Sequence, residues 1–356
     1  MKLTVLILFV SCFFAINLHA QNPKFFEKSK NVKSHGFSKN KLDSLVSFLE
    51  TSGTSSLLII SNKKSILNWG STQKKHTIHS IRKALLNSLL GIYISNGTID
   101  TTETIESLKI DDINSLTDLE KTATIADLLK SRSGIYHPAA AVSKGMLARM
   151  PKRGSHKPNE AHYYNNWGFN VLGYILEKKT GKSVYDLFYH HIALPLGMTY
   201  KNNYKKLYVN ETDENIDISE VDGFYQYELN KSKYPAYHFR LSAYDLALYG
   251  QLYLNQGNWN GKQLIPKQWI KFSTQPINIV YKPAGLAYGV LWGVLMKTPN
   301  RSSTSFYHTG TGVHMLAVYP KSNMVLVHRV DTEKDYDFSE NKLYQMIDLV
   351  WSAKEN

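Results

Sequence analysis

Three short stretches of this chain carry side chains that could act together on an acyl group. The first is Ser80-Ile81-Arg82-Lys83. Three residues is nearly one helical turn, so on a helix the Lys83 amine lies on the face of Ser80, where it can take the hydroxyl proton. A helix start adds a field that favours an oxygen becoming negative. Alone the tetrapeptide says little, because a serine before a helix is most often an N-cap. The second stretch is Tyr164-Asn165-Asn166. Its phenol can relay a proton, and the Asn166 amide can hydrogen-bond both the lysine and a substrate carbonyl. The plain alternative is an Asn N-cap beside a half-buried aromatic. The third is His308-Thr309-Gly310-Thr311. Gly310 lets a backbone approach closely. The Thr311 N–H can then pair with that of Ser80 as two donors aimed at a tetrahedral intermediate. A glycine-rich turn beside a strand explains the same residues without chemistry.

These side chains need elements to hold them. Apolar positions at Ala84, Leu85, Leu89, Ile92 and Tyr93, with Gly97 as a stop, predict a helix over Ser80–Asn96. Trp167 to Lys179, with Val171, Leu172, Ile175 and Leu176, predicts a second one opening at the tyrosine motif. Further helical signals run through Thr124–Lys130, Val184–His190 and Ser242–Asn255. Ser56–Trp69 reads as an early β-hairpin turning at Ser61-Asn62-Lys63-Lys64. Late in the chain, Tyr288–Leu295, Met315–Tyr319 and Val325–Val330 read as strands and Lys342–Ser352 as a closing helix. The expected fold class is therefore α/β (α+β): an antiparallel sheet flanked by helices and built from both chain ends, with a mostly helical region inserted. The α/β part covers about 21–78 and 256–356, and the helical part about 79–255.

All three motifs occur in one order, the first two at helix starts and the third beside a late strand. In this the chain resembles the serine β-lactamase and penicillin-binding-protein superfamily, in the branch of class C enzymes, D-alanyl-D-alanine carboxypeptidases and esterases. Further segments look like family segments. They are Thr124–Leu129 with Ser133-Gly134-Ile135, Leu172–Glu177 with Thr180-Gly181, Pro195-Leu196-Gly197-Met198, and Asp245-Leu246-Ala247 leading to Leu254-Asn255-Gln256-Gly257. The resemblance implies a β-lactamase/transpeptidase-like fold. It implies that Ser80 is acylated, that Lys83 and Tyr164 share the acid and base work, and that Asn166 positions the substrate. His308, Thr309 and Gly310 correspond to the third family motif, where many β-lactamases have Lys-Thr-Gly and some D-peptidases and esterases have His-x-Gly. A lysine there is a permanent charge for a substrate carboxylate. A histidine is mostly neutral at pH 7, can still donate a hydrogen bond, and should favour carboxylate substrates more as pH falls toward 6. Arg329 is the other cation that could meet a carboxylate.

The implied activity is that of an exported serine hydrolase acting through a covalent acyl-enzyme on carboxylic esters or amides. The alternatives are a D,D-carboxypeptidase or weak class C-like β-lactamase, and a penicillin-sensor-like protein that is acylated without turnover. The partner is a small-molecule or peptide acyl substrate, and no cofactor is expected.

Composition supports an exported globular chain. Of 356 residues, 43% are hydrophobic and 20% charged, which is enough for a packed core and not the balance of a disordered protein. Lys2, an apolar run from Leu3 to Ile16 and Ala20 have the layout of a secretory signal peptide over 1–20, leaving one domain over 21–356. The run is too short for a membrane span. Cys12, the one cysteine, falls in that leader, so the mature chain has no thiol for disulfide, metal or nucleophile; a lipid anchor there would leave Phe13, Phe14 and Ile16 as an apolar end. Periplasmic or secreted localisation is expected. The net charge of +13 is scattered rather than clustered, which argues against nucleic acid and for no more than weak attraction to an anionic cell envelope. His137, His156, His162, His190 and His191 have no metal-ligand spacing, so no metal is expected. Trp167, Trp259, Trp269 and Trp292 read as core or cleft-wall aromatics.

Overall fold

A computed structural model describes residues 25–209 and 217–355. The expected leader, with Cys12, lies outside the described residues. The early hairpin forms as read, from strands Ser56–Ser61 and Lys64–Gly70. Asn62 and Lys63 at its turn both take positive φ, 50° and 61°, the backbone of a two-residue turn whose twist matches that of the strands it joins.

The hairpin lies in a nine-stranded sheet assembled from both ends of the chain. Across it the order is Glu27–Lys28, Lys64–Gly70, Ser56–Ser61, Met324–Arg329, His314–Tyr319, Ser305–Gly310, Gly293–Leu295, Leu286–Tyr288 and Asn278–Tyr281. Every neighbouring pair is antiparallel except the first. Side chains alternate between faces, so each central strand feeds two cores. Leu57, Ile59, Met315, Ala317 and Leu326 pack with Leu45 and Leu49 of helix Lys39–Ser52 and Met346 and Val350 of helix Glu340–Ala353. Leu58, Ile60, Leu316, Val318 and Val325 face the larger core, with helices Arg82–Ser95 and Ala243–Leu254. The strands are buried on both faces, which explains why Ser56–Ser61 and Met324–Arg329 read as apolar runs rather than alternations.

Helix Arg82–Ser95 is the axle of the larger core. Arg82 through Gly91 are all buried, and a Cβ at Gly91 would lie 2.1 Å from Trp269 Cδ1, so glycine lets the tryptophan close on the helix. The four tryptophans singled out above, Trp167, Trp259, Trp269 and Trp292, are all buried.

Some elements differ from the sequence reading. The single run Tyr288–Leu295 is two strands, Leu286–Tyr288 and Gly293–Leu295, folded back so that Tyr288 pairs with Gly293. The third motif lies on a strand of its own, Ser305–Gly310, rather than in a turn beside one. The inserted stretch holds helices, Asn166–Thr180 among them, and also most of a four-stranded sheet: His76–Thr77, Ala236–Leu241, Gly223–Tyr227 and Tyr204–Tyr208. Among the described residues no helix is long and apolar enough to cross a membrane.

Candidate active site

Ser80 occupies a single 3₁₀ turn, His79–Ile81, that runs directly into helix Arg82–Ser95. Its hydroxyl does not cap the helix; instead Lys83 Nζ lies 2.9 Å from Ser80 Oγ. Ser80 keeps partial exposure while Lys83 has none, so the hydroxyl is reachable and the amine behind it is dry. The amine sits 4.8 Å from the centre of the Tyr164 ring and 4.9 Å from that of Phe169. Burial drives its pKa well below the ordinary lysine range, and the adjacent Arg82 guanidinium lowers it further. A neutral amine is the form that can accept the serine proton, and the serine hydroxyl can rotate to donate it.

Tyr164 immediately precedes the two asparagines that open helix Asn166–Thr180. Its ring packs on Phe169 at 4.8 Å and meets Tyr288 edge-on at 5.7 Å. That enclosure pushes the phenol up to about 12, against the pull of a hydrogen bond with Ser80 and the Arg82 charge. The phenol therefore keeps its proton at neutral pH.

The two asparagines divide their work. Asn165 is the N-cap, accepting from Trp167 N at 3.0 Å and donating to Ile135 O at 2.6 Å. Asn166 donates Nδ2 to Ala141 O at 2.5 Å, and its buried Oδ1 has no partner. The expected hydrogen bond between Asn166 and Lys83 is thus not made, because the amide is turned onto the Ala141 carbonyl.

His308 is buried on strand Ser305–Gly310, with Nδ1 2.8 Å from Thr309 O. A carbonyl can only accept, so Nδ1 carries the proton and the unpartnered Nε2 presents a lone pair. Burial lowers His308 to about 3, and the Arg82 charge adds to it. Two expectations are corrected here. Nε2 accepts rather than donates, and the ring does not become charged as pH falls toward 6.

Thr309 and Gly310 are partly exposed and Thr311 is exposed. A Cβ at Gly310 would lie 2.7 Å from Ile78 O and 3.4 Å from Ser80 N. The glycine that was expected to admit a substrate therefore first admits the backbone of the serine turn. This brings the strand end that leads to Thr311 against the amide of Ser80, the juxtaposition two oxyanion donors require.

Two arginines complete the surroundings. Arg82 reads in the sequence as a spacer inside the first motif, but it is buried, donates to Asn170 Oδ1 at 3.2 Å and lies 4.9 Å from the Tyr237 ring centre. A cation at a buried position of an otherwise apolar helix was the available signal. Arg329, considered above for a substrate carboxylate, is wholly buried, with its guanidinium turned onto Leu241 O, His76, Thr77 O and His314. His137, His156 and His191 bond to Ile113 O, Tyr136 and Tyr93. Among the described residues no group of His, Cys, Asp or Glu is arranged to hold a metal ion.

Known structures share this architecture at low sequence identity. A class C β-lactamase matches with TM-score 0.61 and 16% identity over 93% of this chain and 99% of that one. A D-stereospecific amidohydrolase from Streptomyces sp. matches with TM-score 0.61 and 16% identity over 86% and 98%. An octameric penicillin-binding protein homologue from Pyrococcus abyssi matches with TM-score 0.62 and 17% identity over 89% and 77%. No curated protein sequence matches. The family model Beta-lactamase matches residues 54–347, which takes in Ser80, Lys83, Tyr164 and His308 together, and the chain belongs to that family.

Proposed function

We propose that this protein is an exported serine hydrolase that cleaves carboxylic esters or amides through an acyl-enzyme on Ser80. The observation that carries the reading is the 2.9 Å contact between Ser80 Oγ and the buried Lys83 amine. The neutral amine takes the Ser80 proton as Oγ bonds to the carbonyl carbon. The resulting oxyanion is held by the N–H groups of Ser80 and Thr311. As the intermediate collapses, the bond to the leaving nitrogen or oxygen breaks, and the leaving atom takes a proton from the Tyr164 phenol, which Lys83 replenishes. Water then adds to the acyl carbon, giving a proton to the same pair, and Ser80 leaves with its hydroxyl restored. Export rests on the composition of residues 1–20.

Amides and neutral esters fit this site better than β-lactams. His308 is neutral where a lysine would meet a carboxylate, and Arg329 is turned away. A D,D-carboxypeptidase or weak β-lactamase would use the same Ser80, Lys83, Tyr164 and Asn166, and a sensor acylated once would share the first half of the cycle.

The test is to treat the mature protein with a fluorophosphonate and map the adduct. One adduct on Ser80, absent in Ser80→Ala, is expected, with multiple turnover of short-chain esters or D-amino-acid amides and poor hydrolysis of a chromogenic cephalosporin. An adduct elsewhere would remove Ser80 as nucleophile. A single equivalent of product from every substrate would favour the sensor, and efficient cephalosporin hydrolysis would restore the β-lactamase.

A further inference from the structure

Resting on the reading of Ser80 as nucleophile, we infer that buried Arg329 and His314 and half-buried His79 and Thr332 form a clamp that positions the two oxyanion donors against each other. These donors come from different parts of the chain, the serine turn His79–Ile81 and the strand end at Gly310–Thr311. At Gly310 the two meet in close van der Waals contact.

Arg329 bridges the two segments from behind. Its Nη2 donates to His76 O at 2.9 Å and Thr77 O at 3.0 Å, on the strand that leads into the serine turn. Its Nε donates to His314 Nδ1 at 3.0 Å, and His314 is the residue paired with Gly310 across the hairpin. The remaining bonds go to Leu241 O at 2.6 Å and His76 Nδ1 at 2.8 Å. A guanidinium has no lone pair to offer, so His314 Nδ1 and His76 Nδ1 must both be acceptors. Among the described residues no carboxylate pairs with Arg329. A buried cation held only by carbonyls and imidazoles is an expensive way to fill space, and its directed bonds are what an apolar replacement would not supply.

His79 completes the clamp at the nucleophile. It takes φ of +48°, a backbone region that a bulky side chain occupies only when its surroundings insist. Two contacts insist: its ring stacks on His314 at 5.4 Å, and its Nε2 lies 2.7 Å from Thr332 Oγ1. Thr332 also touches the hairpin, since its Cγ2 lies 2.1 Å from where a Cβ on Gly312 would be. None of these side chains is assigned contact with a substrate, so they act as positioning residues.

The experiment compares Thr332→Val, His314→Leu and His314→Asn, with kcat and KM referred to the amount of acylatable Ser80 found by fluorophosphonate titration. Valine keeps the shape of Thr332 and removes only the bond to His79. Asparagine keeps an acceptor near the Nδ1 position, and leucine does not. A misplacement of the donors affects the transition state more than ground-state binding, so kcat should fall about 10-fold in Thr332→Val and about 100-fold in His314→Leu, with KM changed by less than about twofold. His314→Asn should recover most of the loss. Values of kcat per titrated serine within about twofold of the parent in both Thr332→Val and His314→Leu would overturn the inference, as would asparagine performing no better than leucine. Should His314→Leu fail to fold, Thr332→Val decides by itself. A parent protein that forms no adduct and turns over nothing contradicts the hydrolase reading instead, which keeps the two failures apart.

Discussion

Lys83 and Tyr164 flank one hydroxyl, yet their surroundings push their proton affinities apart. Burial destabilises the charged form of each: ammonium for the lysine, phenolate for the tyrosine. The lysine is left as the base and the tyrosine as the resting acid, an assignment that needs no carboxylate. Arg82 acts on both, pulling each pKa down and so favouring the neutral amine. From this division the two variants should behave differently. Lys83→Ala should slow acylation by about a hundredfold or more with every substrate, because the serine proton must always leave. Tyr164→Phe should show a loss of that size with amides, whose leaving nitrogen needs a proton, and a smaller one with nitrophenyl esters, whose leaving group does not. Single-turnover acylation rates on a matched amide and ester measure the difference. Equal losses on both substrates in Tyr164→Phe would reassign the phenol to proton removal rather than proton delivery.

At the scale of elements, the site is an agreement between a 3₁₀ turn, a helix start and a strand end. Gly310 is where the strand and the turn touch. In Gly310→Ala the new Cβ would meet Ile78 O at 2.7 Å and His79 Cβ at 3.1 Å, closer than such atoms approach, so the turn must move. Fluorophosphonate labelling of Ser80 should slow by about 100-fold, since a displacement of about 1 Å at a reacting group has that effect. Thermal unfolding should still be cooperative, because the backbone at Gly310 has no positive φ and the strand pairing of 306–310 with 314–318 remains available. Labelling at the parent rate would show that the strand end is not coupled to the nucleophile. Much of this arrangement is legible in sequence. The spacing of Ala84, Leu85 and Leu89 gives the helix behind Ser80, and Asn165 gives the cap of the next one. What escaped has physical causes. Ser305–Gly310 ends in His-Thr-Gly and runs straight on into Thr311-Gly312, a turn-like composition that masks a strand held by neighbours on both sides. Tyr204–Tyr208 is a parallel partner of Gly223–Tyr227, and its mix of tyrosine and lysine follows from exposure rather than from any periodic signal. The contacts of Arg329 join residues up to 253 positions apart, and no local pattern announces them.

Across the whole molecule, the described chain has no thiol to form a disulfide, so its stability comes from the two cores and from how its buried polar groups are satisfied. Histidine is the group most exposed to conditions. His76 is lowered to about 2, His308 to about 3, His79 and His328 to about 4, and His238 and His314 well below their ordinary value, in each case chiefly because burial penalises the charged ring. Arg329 and Arg82 add repulsion at several of them, and His238 has no hydrogen-bond partner at either ring nitrogen. In the unfolded chain each of these imidazoles takes a proton near about pH 6.5. Between that value and the depressed folded ones, the unfolded state binds more protons than the folded state. Their contribution to stability is therefore complete above about pH 6.5 and is lost as pH falls toward 4. Carboxylates held low by their partners, such as Glu120 with Arg153 and Glu333 with Arg240, add loss of the same sign at still lower pH. Glu177, whose burial raises it, works in the opposite direction as a single group. At pH 5.5 an unfolded imidazole is about nine-tenths protonated, so the six rings together should take up about five protons when the protein unfolds. Calorimetric unfolding in two buffers of different ionisation enthalpy counts those protons directly. The thermal midpoint should drop steeply from pH 7.5 to 5 and little from pH 8.5 to 7.5. An uptake of fewer than about two protons at pH 5.5 would mean that these histidines charge within the fold, and with them the neutral imidazole environment on which the positions of Ser80 and Gly310 depend.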